Sequence, residues 1–234
     1  MVSNKQKKAN IAYSSEYLDY TNQFHYVISD EYFKEIETIE LSQDFSVKVI
    51  HYQDSSRKTL PHQVECNLCQ LINTKGEIVF STMNYADDGA FFDLIEHSNG
   101  RKYLVFRKEL YGYCVLDLNT MTDYQYYPEE SFRGGETFIW TGTHYNKNTN
   151  LLVAEGCYWA CPFELFVVDF SEPASVPYPE FRLCEYLGDD DFGYMEFKCW
   201  DDHDHLVFKY FDNKAGQYVD KIIEKDACLS ILKS

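Results

Sequence analysis

Apolar and polar positions alternate along most of the chain. They do so in FSVKVIHY (45–52), VECNLCQLI (64–72), FFDLIEH (91–97), YGYCVLDL (111–118) and PFELFVVDF (162–170). A period of two belongs to strands, whose successive side chains point to opposite faces, and Gly, Pro, Asn or Asp punctuates between the stretches. One segment reads otherwise. SDEYFKEIETI (29–39) predicts a short helix, with Ser29 as N-cap and acidic residues in the first turn. The opening residues are polar, which predicts a loosely docked segment, 1–20, ahead of a single domain, 21–234.

The strands repeat as a unit. An apolar strand, a polar turn and a second apolar strand recur as CNLCQLI–NTKG–EIVFS, FFDLIEH–SNGR–KYLVFR, TFIWTGTH–YNKNTN–LLVAE and MEFKCW–DDHD–HLVFKY. A third strand follows in CVLDLNT (114–120) and FVVDFSE (166–172), and less faithfully in QYVDKIIEK (217–225). Fourth strands are predicted at DYQYY (123–127), FRLCEY (181–186) and ACLSIL (227–232). Asp117 and Asp169 then occupy equivalent places and should accept hydrogen bonds from turn amides. The expected fold is all-β, a propeller-like array of about four antiparallel units. A β-sandwich built from hairpins is the alternative.

The turn followed by LVF or LLVA and then VxDL resembles blades of TolB-type and WD40-like propellers. The Trp-Asp dipeptide of such blades is missing from the ends of the third strands, and Trp200–Asp201 falls in a hairpin instead. GGETFIWTGTHYN with GCYWACPFEL and VVDFSEP resembles a group of bacterial proteins sharing the GG–FIW…GCYWACP text. That resemblance implies a bacterial source and supplies no catalytic residues.

Composition strengthens the β reading, with aromatics at 17% and 20 tyrosines. The formal net charge is −17, which repels nucleic-acid phosphate and anionic lipid and suits a basic protein partner. No secretory signal or apolar run of membrane-spanning length is visible, so a cytoplasmic location is expected. In that compartment the eight cysteines are expected as thiols.

Cys66 and Cys69 form C-x-x-C, but on a strand positions i and i+3 face opposite ways, so they read as small buried hydrophobes. Cys157 and Cys161 lie between Gly156 and Pro162, in a loop or bulge with Tyr158 and Trp159. His203 and His205 share a face on a strand and suit a transition metal, with His144 a conceivable third ligand, but DDHD lies where other units place solvated turns. The acidic turns LGDDDFGY (187–194) and NYADDGAFF (84–92) lack calcium-loop spacing. No metal or cofactor is therefore expected.

Two main functional readings follow. The first is an acidic interaction module with a basic protein partner, for which an immunity-type protein neutralising a basic toxin is one concrete form. The second is an enzyme or small-ligand-binding protein with a pocket near residues 140–161, where His144, Glu155, Cys157, Trp159 and Cys161 are the candidate residues. A metal-binding protein is a third. Trp140 and Trp159 are expected to meet in one aromatic wall. Oligomeric state is not legible.

Overall fold

The computed structural model describes residues 9–56, 58, 63–85, 91–188, 194–212 and 215–233. The acidic turns at 84–92 and 187–194 fall largely outside these residues, as do the first eight. The chain divides into two compact units: one runs to Leu94 and adds Leu104–Gly135, and the other is Ile95–Tyr103 with Glu136 onward.

The described residues form four antiparallel sheets, each a meander of consecutive strands. The first holds β1 (Phe33–Glu40), β2 (Phe45–Asp54), β3 (Val64–Asn73) and β4 (Ile78–Asn84). The second holds β5 (Phe92–Glu96), β6 (Lys102–Phe106), β7 (Tyr113–Asp117) and β8 (Thr122–Tyr126). The third holds β9 (Ile139–Asn146), β10 (Leu151–Cys157), β11 (Glu164–Asp169) and β12 (Glu180–Arg182). The fourth has three strands, β13 (Met195–Trp200), β14 (Leu206–Asp212) and β15 (Gln217–Ile223). The fold is all-β, and the four expected hairpins are present. Among the described residues no helix is long and apolar enough to cross a membrane.

Alternation explains the cores of the first unit. Cys69 and Leu71 point one way and pack with Val47, Val49, Phe106 and Leu116. Val64 and Cys66 point the other way and pack with Val27. Burial pushes both thiols up to about 12, as expected of sulfur used as a small hydrophobe. On the third strands both faces are covered: Val115 and Leu116 are fully buried, and so are Val167 and Val168. Their terminal carboxylates hold the turns that follow. Asp117 accepts the Asn119 amide at 2.8 Å, and Asp169 accepts the Ser171 amide at 3.0 Å. Asn73, Asn99, Asn146 and Asp201 do the same for the residue two further on, so the polar turn letters are structural acceptors.

The described part of the N-terminal segment is docked. Ile11 N–H donates to Tyr127 O at 3.0 Å and Asn10 Nδ2 to Gln125 O at 2.8 Å, along the outer edge of β8. Helix α1 (Ser15–Asn22) follows, with Ser14 accepting the Tyr17 amide as N-cap. Tyr17 is buried and stacks on Tyr127 at 4.8 Å. A short helix α2 (Glu129–Phe132) closes this unit.

Three local expectations are corrected. Residues 29–39 are not a helix: Asp30–Tyr32 make one 3-10 turn, Ser29 makes no side-chain cap, and Phe33 begins β1. The pairs Ile36↔Ile50 and Ile39↔Val47 reward the extended form of these β-branched residues, and the glutamates are the solvated positions of an edge strand. FRLCEY is strand only to Arg182; helix α3 (Leu183–Leu187) then buries Leu183 and Cys184 and ends at Gly188, whose φ of 66° suits a left-handed cap. ACLSIL lies in helix α4 (Lys225–Lys233), where Cys228 and Leu232, four apart, form the buried stripe.

Candidate functional site

His144 and Glu155 meet because of a bulge in the β9–β10 ladder. Glu155 opposes Gly142 and Gly156 opposes Trp140, so Thr141 is the extra residue, and its hydroxyl donates to Glu155 O at 3.0 Å. Gly156 is required here, since a Cβ would lie 1.9 Å from Ile139 O. Val153 stands directly opposite His144, which makes Glu155 its diagonal neighbour on the same face. His144 Nε2 lies 3.1 Å from Glu155 Oε2. The imidazole also stacks on Phe197 of β13, with centroids 3.9 Å apart and planes 9° apart. These contacts fix the ring by one edge and one face.

The other three candidates follow in the loop after β10. All eight cysteines are free thiols, with Cys157 and Cys161 half-buried. The Cys161 amide donates to Tyr158 O at 2.9 Å, closing a turn through Ala160 at a φ of 58°. Trp159 is 64% exposed, and its amide donates to the Glu136 carboxylate. Trp140 is 2% exposed. The two tryptophans therefore occupy opposite environments and are not two halves of one wall.

Beneath this loop lies a buried charge cluster. Arg182 holds the fully buried Glu164 carboxylate with two hydrogen bonds, and its guanidinium lies 5.3 Å from the centre of the Tyr158 ring. Phe138 packs edge-on against Tyr158 at 5.7 Å. The Cys184 thiol donates to Glu164 at 3.5 Å, and burial with the Glu164 charge pushes it up to about 12. Tyr158 is thus a structural residue of the loop, whereas Trp159 is exposed.

His203 and His205 lie in the β13–β14 turn. Asp201 accepts both of their amides, at 2.9 and 2.8 Å, and these bonds hold its carboxyl below the usual range. His205 Nδ1 accepts the Lys225 amide at 3.1 Å. Among the described residues no group of three or more His, Cys, Asp or Glu is placed to hold a metal ion.

The surface that sequence reading missed is the outer face of the fourth sheet. Its inner face buries Met195, Leu206, Phe208, Tyr210 and Ile223 in the core of the second unit. Its outer face carries three rows across the strands. Tyr194, Phe211 and Tyr218 form the first, Glu196, Lys209 and Asp220 the second, and Cys199, Val207 and Ile222 the third. Phe163 extends the aromatic row: its ring lies 6.2 Å from Tyr194, which lies 5.8 Å from Tyr218, which lies 5.0 Å from Phe211. Tyr218 is 53% exposed and Ile222 62%. In the middle row Lys209 pairs with Glu196 at 3.2 Å and Lys198 with Asp220 at 2.5 Å. Burial first, and then the Glu196, Tyr218 and Glu155 charges, pushes the Tyr194 phenol up. MEFKCW, HLVFKY and QYVDKII carry apolar residues at both parities, which reads as burial on both faces; here one of those faces exposes Tyr194, Tyr218 and Ile222 and buries only Val207 among its apolar residues.

A scan against protein-family models and a search of curated proteins found no match to this chain.

Proposed function

We propose that the chain is an acidic binding module whose second unit takes a basic protein segment on the outer face of β13–β15. The observation that carries this reading is the connected run of rings Phe163–Tyr194–Tyr218–Phe211 on a chain of net charge −17. Scattered exposed aromatics need no explanation, but rings in mutual contact at a surface mark an interaction site. Tyrosine gives large amphipathic contact area for little lost conformational freedom. A guanidinium stacks on such rings and hydrogen-bonds a carboxylate in the adjacent row, here Glu196. The overall negative charge speeds encounter with a basic partner and disfavours nucleic acid and anionic membranes. A toxin-neutralising, immunity-type role is one form of this function. A cytoplasmic setting suits cysteines that stand as free thiols. The succession of short meanders supports a propeller-like array of about four units as the scaffold.

Calorimetric titration with nona-arginine tests the reading. Nona-arginine should bind, nona-glutamate should not, and raising salt should weaken the complex. Replacing Tyr194 and Tyr218 together by Ser should weaken it by about thirtyfold, given cation–ring energies near 1 kcal/mol each at exposed sites. Ile78→Ser, on the first unit, should leave it unchanged. Equal binding by the double variant, or no binding by the native chain, overturns the proposal.

A further inference from the structure

We propose that the partner binds by adding a strand to the open edge of β15. The proposal deepens the basic-partner reading above and rests on it. Among the described residues three of the sheets have four strands, and the fourth has three. The described chain after β15 does not complete that sheet, because it turns into α4, whose Cys228 and Leu232 are buried in the core. Among the described residues no strand pairs with the outer edge of β15. In an antiparallel strand every second residue turns its N–H and C=O toward the same side, so this edge offers a row of donors and acceptors about 23 Å long.

Three other edges, those of β8, β12 and β1, are guarded, and this one is not. Residues 10 and 11 cover β8. The edge strand β12 has only three residues before α3 begins. The edge strand β1 carries Lys34, Glu35, Glu37 and Glu40 and a bulge between Phe33 and Glu35. Shortness, charge, bulges and cover are the usual defences of an edge. β15 has seven residues, with no proline, no glycine and a regular ladder to β14. Its lysine is not on guard: Lys221 lies over the Tyr210 ring at 4.1 Å.

The outward side chains specify the occupant. Tyr218, Asp220 and Ile222 alternate along β15, so the added strand should read apolar, basic, apolar on that face. Lys198 engages one oxygen of Asp220, and the other oxygen is available to a basic residue. A second copy is the poorer occupant, since each chain carries a net charge of −17.

The test is amide hydrogen exchange on the full chain with the heptapeptide Thr-Val-Thr-Arg-Thr-Val-Thr. Alternate amides of β15 should exchange about tenfold more slowly when the peptide is saturating. The same peptide N-methylated at alternate residues should give no protection, because it keeps the side chains and loses the edge donors. If both peptides bind equally and β15 stays unprotected, strand addition is overturned while the basic-partner reading stands. Equal protection by a peptide with Ser in place of Arg overturns the basic partner and keeps the strand. Protection that grows with protein concentration in the absence of peptide shows a second copy at the edge and overturns the proposal. Failure of every peptide to protect β15 overturns it as well, and failure of nona-arginine to bind then removes the underlying reading too.

Discussion

The Tyr17 hydroxyl of α1 donates to the Glu109 carboxylate at 3.2 Å. Glu109 is 7% exposed and lines a small crevice of about 10 Å³, room for one water molecule, with Tyr17, Lys108, Cys114, Gln125 and Tyr127 around it. Burial raises its pKa from 4.5 to about 7, against the lowering effects of the Tyr17 bond and the Lys108 charge. The folded state therefore holds a proton that the unfolded chain has already released. Stability falls as pH rises from about 4.5 to 7 and is flat above that, a loss of about 3 kcal/mol from this group. Glu109→Gln should remove that slope and make the chain more stable at pH 8. Urea unfolding at a series of pH values measures it, and an unchanged slope in the variant would mean that Glu109 is ionised in the fold.

The Glu164–Arg182 pair makes an asymmetric prediction. Arg182→Met leaves a fully buried carboxylate without its partner and should cost about 3–5 kcal/mol. Glu164→Leu combined with Arg182→Met removes both charges and should recover most of that loss. Denaturant midpoints of the two variants decide this. A double variant no more stable than the single one would show that the cluster matters through its packing and not its charge.

Thiol accessibility sorts the cysteines. Cys199 is exposed on the outer face of β13, whereas Cys66, Cys69, Cys114, Cys184 and Cys228 are buried. Native protein should show one prompt reaction with an aromatic disulfide reagent, abolished by Cys199→Ser. The five buried thiols should react only after unfolding. Cys157 and Cys161, half-buried, should react at intermediate rates. A prompt phase surviving in Cys199→Ser would place reactivity in the loop after β10.

The fold was legible where a single period ruled a stretch. The two faces of β3 could be assigned from VECNLCQLI alone, because Cys66 and Cys69 differ by an odd number of residues. It was not legible where local and tertiary signals conflicted. Ser29 followed by acids is a genuine helix start, yet pairing with β2 outweighs it. Cys228 and Leu232 carried the helical period, but a four-strand expectation imposed a strand there. His144 and Glu155 read in the sequence as neighbours of a loop, and their contact depends on a bulge at Thr141 that no residue letter announces. The outer face of β13–β15 was hidden for a different reason. Its aromatics look like core letters, and only the missing fourth strand and the open face distinguish them.

The cover on β8 has a consequence for synthesis. Asn10 and the Gln125 carbonyl it grips are 115 residues apart in the chain. At 5–20 residues per second, a ribosome needs roughly 6–23 s to deliver the second after the first. During that interval the N-terminal segment has emerged and its docking edge does not yet exist. Tyr17 and its neighbours are then apolar surface without a partner, and they are the part of this unit that a nascent-chain chaperone would meet first.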